Sequence, residues 1–181
     1  MSTLPLPPVA GYAPRRPDWR FLLEHPAHLV ALGFGCGLSP KAAGTVGTLW
    51  AWVVFLLLQP WLDDWQWAAL LLLSLVLGWW ACTRCAQALR QHDPGAIVWD
   101  EIVAFWLVLW LVMPTGWLGQ LAAFVLFRLF DIAKPGPVAW ADGLYKSRAG
   151  DTIGARQGFG ILLDDLVAAL CTLIAIALWR V

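Results

Sequence analysis

Charge is what this sequence has least of. Asp, Glu, Lys and Arg make up 13% of its 181 residues, against about 25% in an ordinary soluble domain. Basic and acidic side chains balance at 12 each. No net field therefore draws the chain to nucleic acid. Cysteine is also scarce, at Cys36, Cys82, Cys85 and Cys171. Cys82 and Cys85 form a C-x-x-C pair, but no second pair accompanies it, which argues against zinc, and no βαβ pattern surrounds it. Inert buried thiols are expected there. No charged start followed by an apolar core is visible, so no secretory signal is expected. Internal repeats and a second domain are also missing. What remains is a chain that is 60% hydrophobic, with 14 Trp. That composition belongs to the membrane class, and Trp favours the membrane–water interface because its ring is half apolar and half wet.

Residues 1–17 hold Pro5, Pro7, Pro8, Pro14 and Pro17 and read as a disordered tail. Residues 18–181 read as one membrane-embedded domain. Residues 18–35 mix apolar side chains with Glu24, His25 and His28, and Pro26 interrupts them, which suggests short helices on the membrane surface. Apolar runs follow at Thr45–Leu62, Trp65–Leu89, Val98–Met113, Trp117–Ala133 and Ile161–Trp179. The fold expected is all-α, a polytopic membrane bundle of four to five spans with short interfacial helices. Connections at 60–64 and 114–116 carry no Lys or Arg, whereas 84–97 and 134–160 carry six, Arg84, Arg90, Lys134, Lys146, Arg148 and Arg156. Basic loops mark the cytoplasmic side. The N-terminus is therefore expected inside, with Arg180 the exception among the basic residues.

On that topology the remaining charges converge. Asp100 and Glu101 open the third run, Arg128 and Asp131 close the fourth, and Asp164 and Asp165 open the fifth. All lie at the cytoplasmic end. An ionised side chain in hydrocarbon costs about 2.5–3.5 kcal/mol even on lenient scales, so five carboxylates at one depth call for a purpose. Capping and structural ion pairs are one reading, since acidic groups suit helix N-termini. The other is an all-oxygen site for a hard divalent ion such as Mg²⁺ or Mn²⁺, with Arg128 and Lys134 offsetting charge.

The stretch "GFGCGLSPKAAGTVGT", Gly33 to Thr48, can cradle a phosphate through backbone N–H groups or form a tight structural turn. It lacks the G-K-[ST] ending of a Walker loop. In "RQHDPGAIVWDE", His92 can shuttle a proton, or simply be solvated, and Asp93 follows it. A cation centre beside an anion cradle at the membrane surface suggests phosphoryl chemistry on a lipid head group.

"GFGCGLSPKAAGTVGT", "HDPGAIVWDE", "FRLFDIAKPGP" and "GFGILLDD" occur in that order. Together they resemble the phosphatidylglycerophosphatase A family over about residues 28–175. The resemblance implies an α-helical fold, Mg²⁺ dependence, a bacterial inner-membrane location and removal of the terminal phosphate of phosphatidylglycerophosphate. It carries the family's motif positions onto Asp100, Glu101, Asp131, Lys134, Asp164 and Asp165, and onto His92 and Asp93. The chain departs from the family at Cys36 and Thr48, where Ser is familiar, and at Gly136, where Trp is.

The expected enzyme is a metal-dependent phosphomonoesterase. Asp100, Glu101, Asp131, Asp164 and Asp165 form its Mg²⁺ centre. Ser39, Gly44, Thr45, Thr48, Arg128 and Lys134 face the phosphate, and His92 or Asp93 serves the leaving oxygen. Direct attack by water and an aspartyl-phosphate intermediate both remain open. No C-x₅-R and no D-x-D-x-T is present, which excludes cysteine and haloacid-type phosphatases. A CDP-alcohol phosphatidyltransferase is the rival enzyme, but Asp164 and Asp165 are adjacent rather than four apart and do not stack on one helix face. A small ion-coupled carrier is the rival of another class, and it would place polar groups near mid-membrane.

Overall fold

In the computed structural model, residues 15–145 and 152–180 are described. The Pro-rich tail up to residue 14, and the loop residues Lys146 and Arg148, lie outside them. Among the described residues every regular element is helical. Helix α1 (Trp19–Glu24) is capped by Asp18, whose Oδ1 accepts from the Phe21 N–H at 2.8 Å. Helix α2 (Pro26–Ala31) starts on a proline, which suits a first turn whose N–H groups have no helical partner. Arg15 joins this end of the molecule to the bundle, since its N–H donates to Leu89 O at 3.1 Å.

A 3₁₀ segment, Gly33–Leu38, then turns the chain into α3 (Ala43–Leu58). Gly33 sits at φ +55, and a Cβ there would come within 2.7 Å of Val98 Cγ2. The glycine stretch thus lies directly against the segment that leads into α5. Val98 N–H also donates to Ala31 O at 3.0 Å.

Helix α4 (Asp64–Leu89) opens with a capping box in which Asp63 and Gln66 satisfy each other's backbone N–H groups. Helices α5 (Trp99–Val112) and α6 (Trp117–Ala133) follow, then short α7 (Gly136–Leu144) and long α8 (Ala155–Arg180). Side-chain bonds fix the directions. Trp110, late in α5, donates to Asp64 at the start of α4 at 3.0 Å. Trp79, late in α4, donates to Ala155 O at the start of α8 at 2.5 Å. Neighbouring long helices therefore run up and down, and α3, α5 and α8 begin at the end where α4 and α6 finish.

Helix α5 is the centre, buried from Ile102 through Trp106 and packed against α3, α4, α6 and α8. Indole N–H groups inside the bundle find acceptors, as a buried Trp must. Trp99 donates to Ser74 O and Trp106 to Ala51 O, each at 2.9 Å. Trp61, Trp65, Trp117 and Trp179 instead stand exposed at the end opposite Asp100, Glu101 and Asp165, and Trp19 and Trp140 are exposed as well.

The expectation of four to five spans is met only in part. Among the described residues two helices, Asp64–Leu89 and Ala155–Trp179, are long and apolar enough to cross a membrane. Helices α3, α5 and α6 have 16, 14 and 17 residues, against the roughly 20 a span needs. For α5 the reason is physical: it is apolar all round because protein surrounds it, so its hydrophobicity reports the core rather than lipid contact.

Candidate active site

The polar residues gather where α5 begins, α6 ends and α8 completes its third turn. Asp100 and Glu101 are the second and third residues of α5, where the partial positive charge of the helix end favours anions. Val98, the N-cap, makes no side-chain cap, so the helix dipole and its neighbours must hold these two. Asp165 arrives from α8. One oxygen from each of Asp100, Glu101 and Asp165 lies within 4.8 Å of the others. Asp165 is 3% exposed and Asp100 9%. Asp100 Oδ1 and Glu101 Oε2 are buried without a hydrogen-bond partner.

Around this trio lies a cavity of about 150 Å³. Asp93, Asp131, Lys134 and Asp164 complete its polar wall, and Ile97 and Ile161 supply apolar parts.

The other carboxylates are held by cations. Arg128 forms an ion pair with Asp131, one turn along α6, and its Nη1 stands 3.6 Å from Glu101 Oε1. Arg128 Nε and Nη1 nevertheless have no well-aligned hydrogen-bond acceptor. Lys134 pairs with Asp164 and, at 2.7 Å, with Asp142 Oδ1. Burial works against the charge of Lys134, but Asp164 and then Asp142 outweigh it, and its pKa is raised above the ordinary lysine value. Lys134 takes the left-handed conformation, φ 43, as the C-cap of α6. Pro135 follows, so α7 starts in a new direction and returns Asp142 to the ammonium.

Each expected site residue has a definite place. Asp93, Asp100, Glu101, Asp131, Lys134, Asp164 and Asp165 share the cavity wall. Arg128 stands behind it, bound to two wall residues. Four others do not reach the wall: His92, Ser39, Thr45 and Thr48. Ser39 Oγ donates to Lys41 O, and Thr48 Oγ1, fully buried, donates to Gly44 O, each at 2.8 Å. Both hydroxyls donate to backbone here and neither lines the cavity. Gly44 touches the site differently. A Cβ there would overlap Glu101 Oε1 and lie 3.1 Å from Arg128 Nη1. The missing side chain makes room for that pair.

One expectation is corrected at α8. It begins at Ala155, so Asp164 and Asp165 lie in its third turn rather than at its opening. A helix N-terminus cannot account for them, because the dipole effect fades within the first turn. Cys82 and Cys85 are free thiols, buried inside α4. Asp142 was missed by sequence reasoning. It follows a proline break, so no helical spacing ties it to Lys134.

The donor set is all oxygen, with the unpartnered buried oxygens of Asp100 and Glu101 from α5 beside Asp165 from α8 on one cavity, and it fits a hard divalent ion. Fold and site together define a protein that is helical throughout its described residues, with two helices long and apolar enough to cross a membrane and an acidic centre at one end of its bundle. Comparison with known proteins narrows that class. The phosphatidylglycerophosphatase A model matches residues 29–180, and the chain belongs to that family of phosphatases. It is 36% identical over 149 residues to phosphatidylglycerophosphatase A of Escherichia coli, covering 82% of this chain and 80% of that one. It is 36% identical over 154 residues to phosphatidylglycerophosphatase A of Haemophilus influenzae, covering 85% and 88%. A Bacteroides thetaiotaomicron relative, also 36% identical, over 159 residues covering 84% and 92%, is named as a candidate phosphatidylinositol-3-phosphatase. No solved structure matches.

Proposed function

We propose that this chain hydrolyses the terminal phosphomonoester of phosphatidylglycerophosphate to phosphatidylglycerol and inorganic phosphate, with Mg²⁺ as cofactor. The observation that carries the proposal is the meeting of Asp100, Glu101 and Asp165 within 4.8 Å on a cavity that Lys134 also lines. Those three carboxylates hold the ion, and Asp131 and Asp164, tied to Arg128 and Lys134, keep the surrounding wall in place. When bound, Mg²⁺ supplies Lewis-acid stabilisation of phosphate charge and a more acidic water. Lys134 offers its ammonium to a phosphate oxygen, and Arg128 steadies Glu101 from behind. In the reaction an O–P bond forms from water, and the P–O bond to glycerol breaks. Asp93, on the wall, is the group for proton exchange with the leaving glycerol oxygen, with His92 beside it in sequence.

The working location proposed is the bacterial inner membrane, with the N-terminus and site on the cytoplasmic side. Helices α3, α5 and α6 join α4 and α8 within the bilayer as shorter crossings. Exposed apolar side chains on α3 (Val53, Leu56, Leu57) and α6 (Leu118, Val125, Leu129) support this. The basic residues Lys41, Arg84, Arg90 and Arg156 lie at the site's end of the bundle, as positive-inside orientation requires.

The name of the Bacteroides relative favours a second head group, phosphatidylinositol 3-phosphate. The test is phosphate release by the purified protein from each lipid in detergent micelles, with and without a chelator. Release from phosphatidylglycerophosphate that stops on chelation and returns with Mg²⁺ is the expected result. Preference for the inositol lipid would move the substrate assignment. Activity indifferent to chelation would remove the metal from the proposal, and turnover that needs a CDP-lipid would establish a transferase instead.

A further inference from the structure

We propose that Asp142, on α7, is a positioning residue for this reaction: it holds the Lys134 ammonium where the substrate phosphate docks. The inference rests on the phosphatase reading of the site.

Lys134 lines the cavity, whereas Asp142 does not, so Asp142 acts through Lys134 rather than on substrate. A lysine ammonium rides on a flexible four-carbon stem with three N–H donors. A single carboxylate would leave it free to swing. Here two carboxylates on two different helices bracket it, Asp142 of α7 at 2.7 Å and Asp164 of α8. That arrangement spends two donors and leaves one for a phosphate oxygen. Both acids are mostly buried, so the pairs are poorly screened by water. The backbone contributes as well. Lys134 N–H closes α6 onto Phe130 O at 2.9 Å, and the left-handed turn at this residue fixes where the stem departs.

A purely structural role is the alternative, with Asp142 merely fastening α7. Helix α7 already has fastenings of its own, since Val138 and Ala141 are fully buried. The two roles give different results in a double-mutant cycle. Asp142→Ala should lower kcat/KM for phosphate release tenfold or more in the otherwise native chain, with little change in melting temperature. In a Lys134→Met background, which retains some turnover from the acidic centre, the same change should cost less than twofold. Asp142→Glu should recover activity to within about threefold of native. If Asp142→Ala does not accumulate in membranes, Asp142→Asn, which keeps the side chain's shape, enters the cycle in its place. Equal losses in both backgrounds, or no loss in the native one, would overturn the inference and leave the phosphatase reading standing. A native chain that releases no phosphate from either lipid would overturn that reading itself.

Discussion

Gly44→Ala separates two explanations of the glycine-rich stretch in one experiment. If Gly44 serves a phosphate through its backbone N–H, alanine keeps that N–H and should be tolerated. If Gly44 exists to make room for Glu101, alanine must push the carboxylate aside. Its Cβ would overlap Glu101 Oε1, and would lie 3.0 Å from Glu101 Cδ and 3.1 Å from Arg128 Nη1. Overpacking costs about 1–3 kcal/mol, but Glu101 Oε1 is the far end of a flexible side chain and can move. Alanine also recovers up to about 1 kcal/mol of helix propensity, because Gly44 is the second residue of α3. Net stability should therefore change by no more than about 2 kcal/mol. Activity should suffer more, because displacing a site group by roughly 1 Å costs on the order of 100-fold. That factor corresponds to about 2.7 kcal/mol of transition-state stabilisation. The assay pairs phosphate release with thermal melting of detergent-purified protein. Glu101→Asp, one methylene shorter, should restore part of the activity in the Gly44→Ala chain while lowering it in the native one. Native kcat/KM in Gly44→Ala would refute the steric argument and return the phosphate-cradle reading.

The other expectations are simpler. Asp100→Asn and Asp165→Asn should each lower turnover at least about 1000-fold while both proteins still insert; near-native turnover in either would mean that the cation centre is misread. In chelator, moreover, neither variant should melt below the native chain. Thr48→Val should keep activity within about threefold and lose about 1 kcal/mol or less, because the Thr48 hydroxyl bonds only to Gly44 O; loss of phosphate affinity would contradict this. Replacing Cys82 and Cys85 together by Ser should leave most of the activity, since both thiols are fully buried and neither lines the cavity, and a folded but inactive variant would assign them a role.

Much of the fold and of the site could be read from residue order. The end of α6 just before Pro135 follows a local rule that neighbours do not override. The convergence of Asp100, Glu101 and Asp165 was legible because burying charge is costly, and so charges in apolar runs stand out. Three features were not legible. The start of α8 hid behind Ala155–Gly160, whose glycines and polar residues look like loop until the helix packs on α4 through Trp79. The span count was not legible because a core helix such as α5 and a lipid-facing helix share one composition. The backbone partners of the Ser39 and Thr48 hydroxyls were not legible, because a Ser or Thr hydroxyl beside a turn or helix can find a local carbonyl.

The charge balance of the site explains why Asp100 and Asp165 should be dispensable for folding and necessary for turnover. Asp131, Asp142, Asp164 and Glu101 share the cations Arg128 and Lys134, while Asp100 and Asp165 stand beside Glu101. The cations lie at the flanks, and each is shared by two acids. The central trio keeps only the 3.6 Å approach of Arg128 to Glu101. At an effective dielectric near 20, two unit charges 4.8 Å apart repel by about 3.5 kcal/mol. Three such pairs would consume about 10 kcal/mol, as much as the whole stability of a typical domain. A fold selected for stability alone would have no reason to bring these oxygens together without a cation. With all three carboxylates ionised the trio would be strained, and a bound divalent ion would relieve it. Removing one of its charges should relax the metal-free protein while destroying the arrangement that chemistry requires. Melting temperatures measured with and without Mg²⁺ check this directly: the ion should raise the native value and have little effect on Asp165→Asn. A native chain whose melting ignores Mg²⁺ would show that the charge is balanced in some other way.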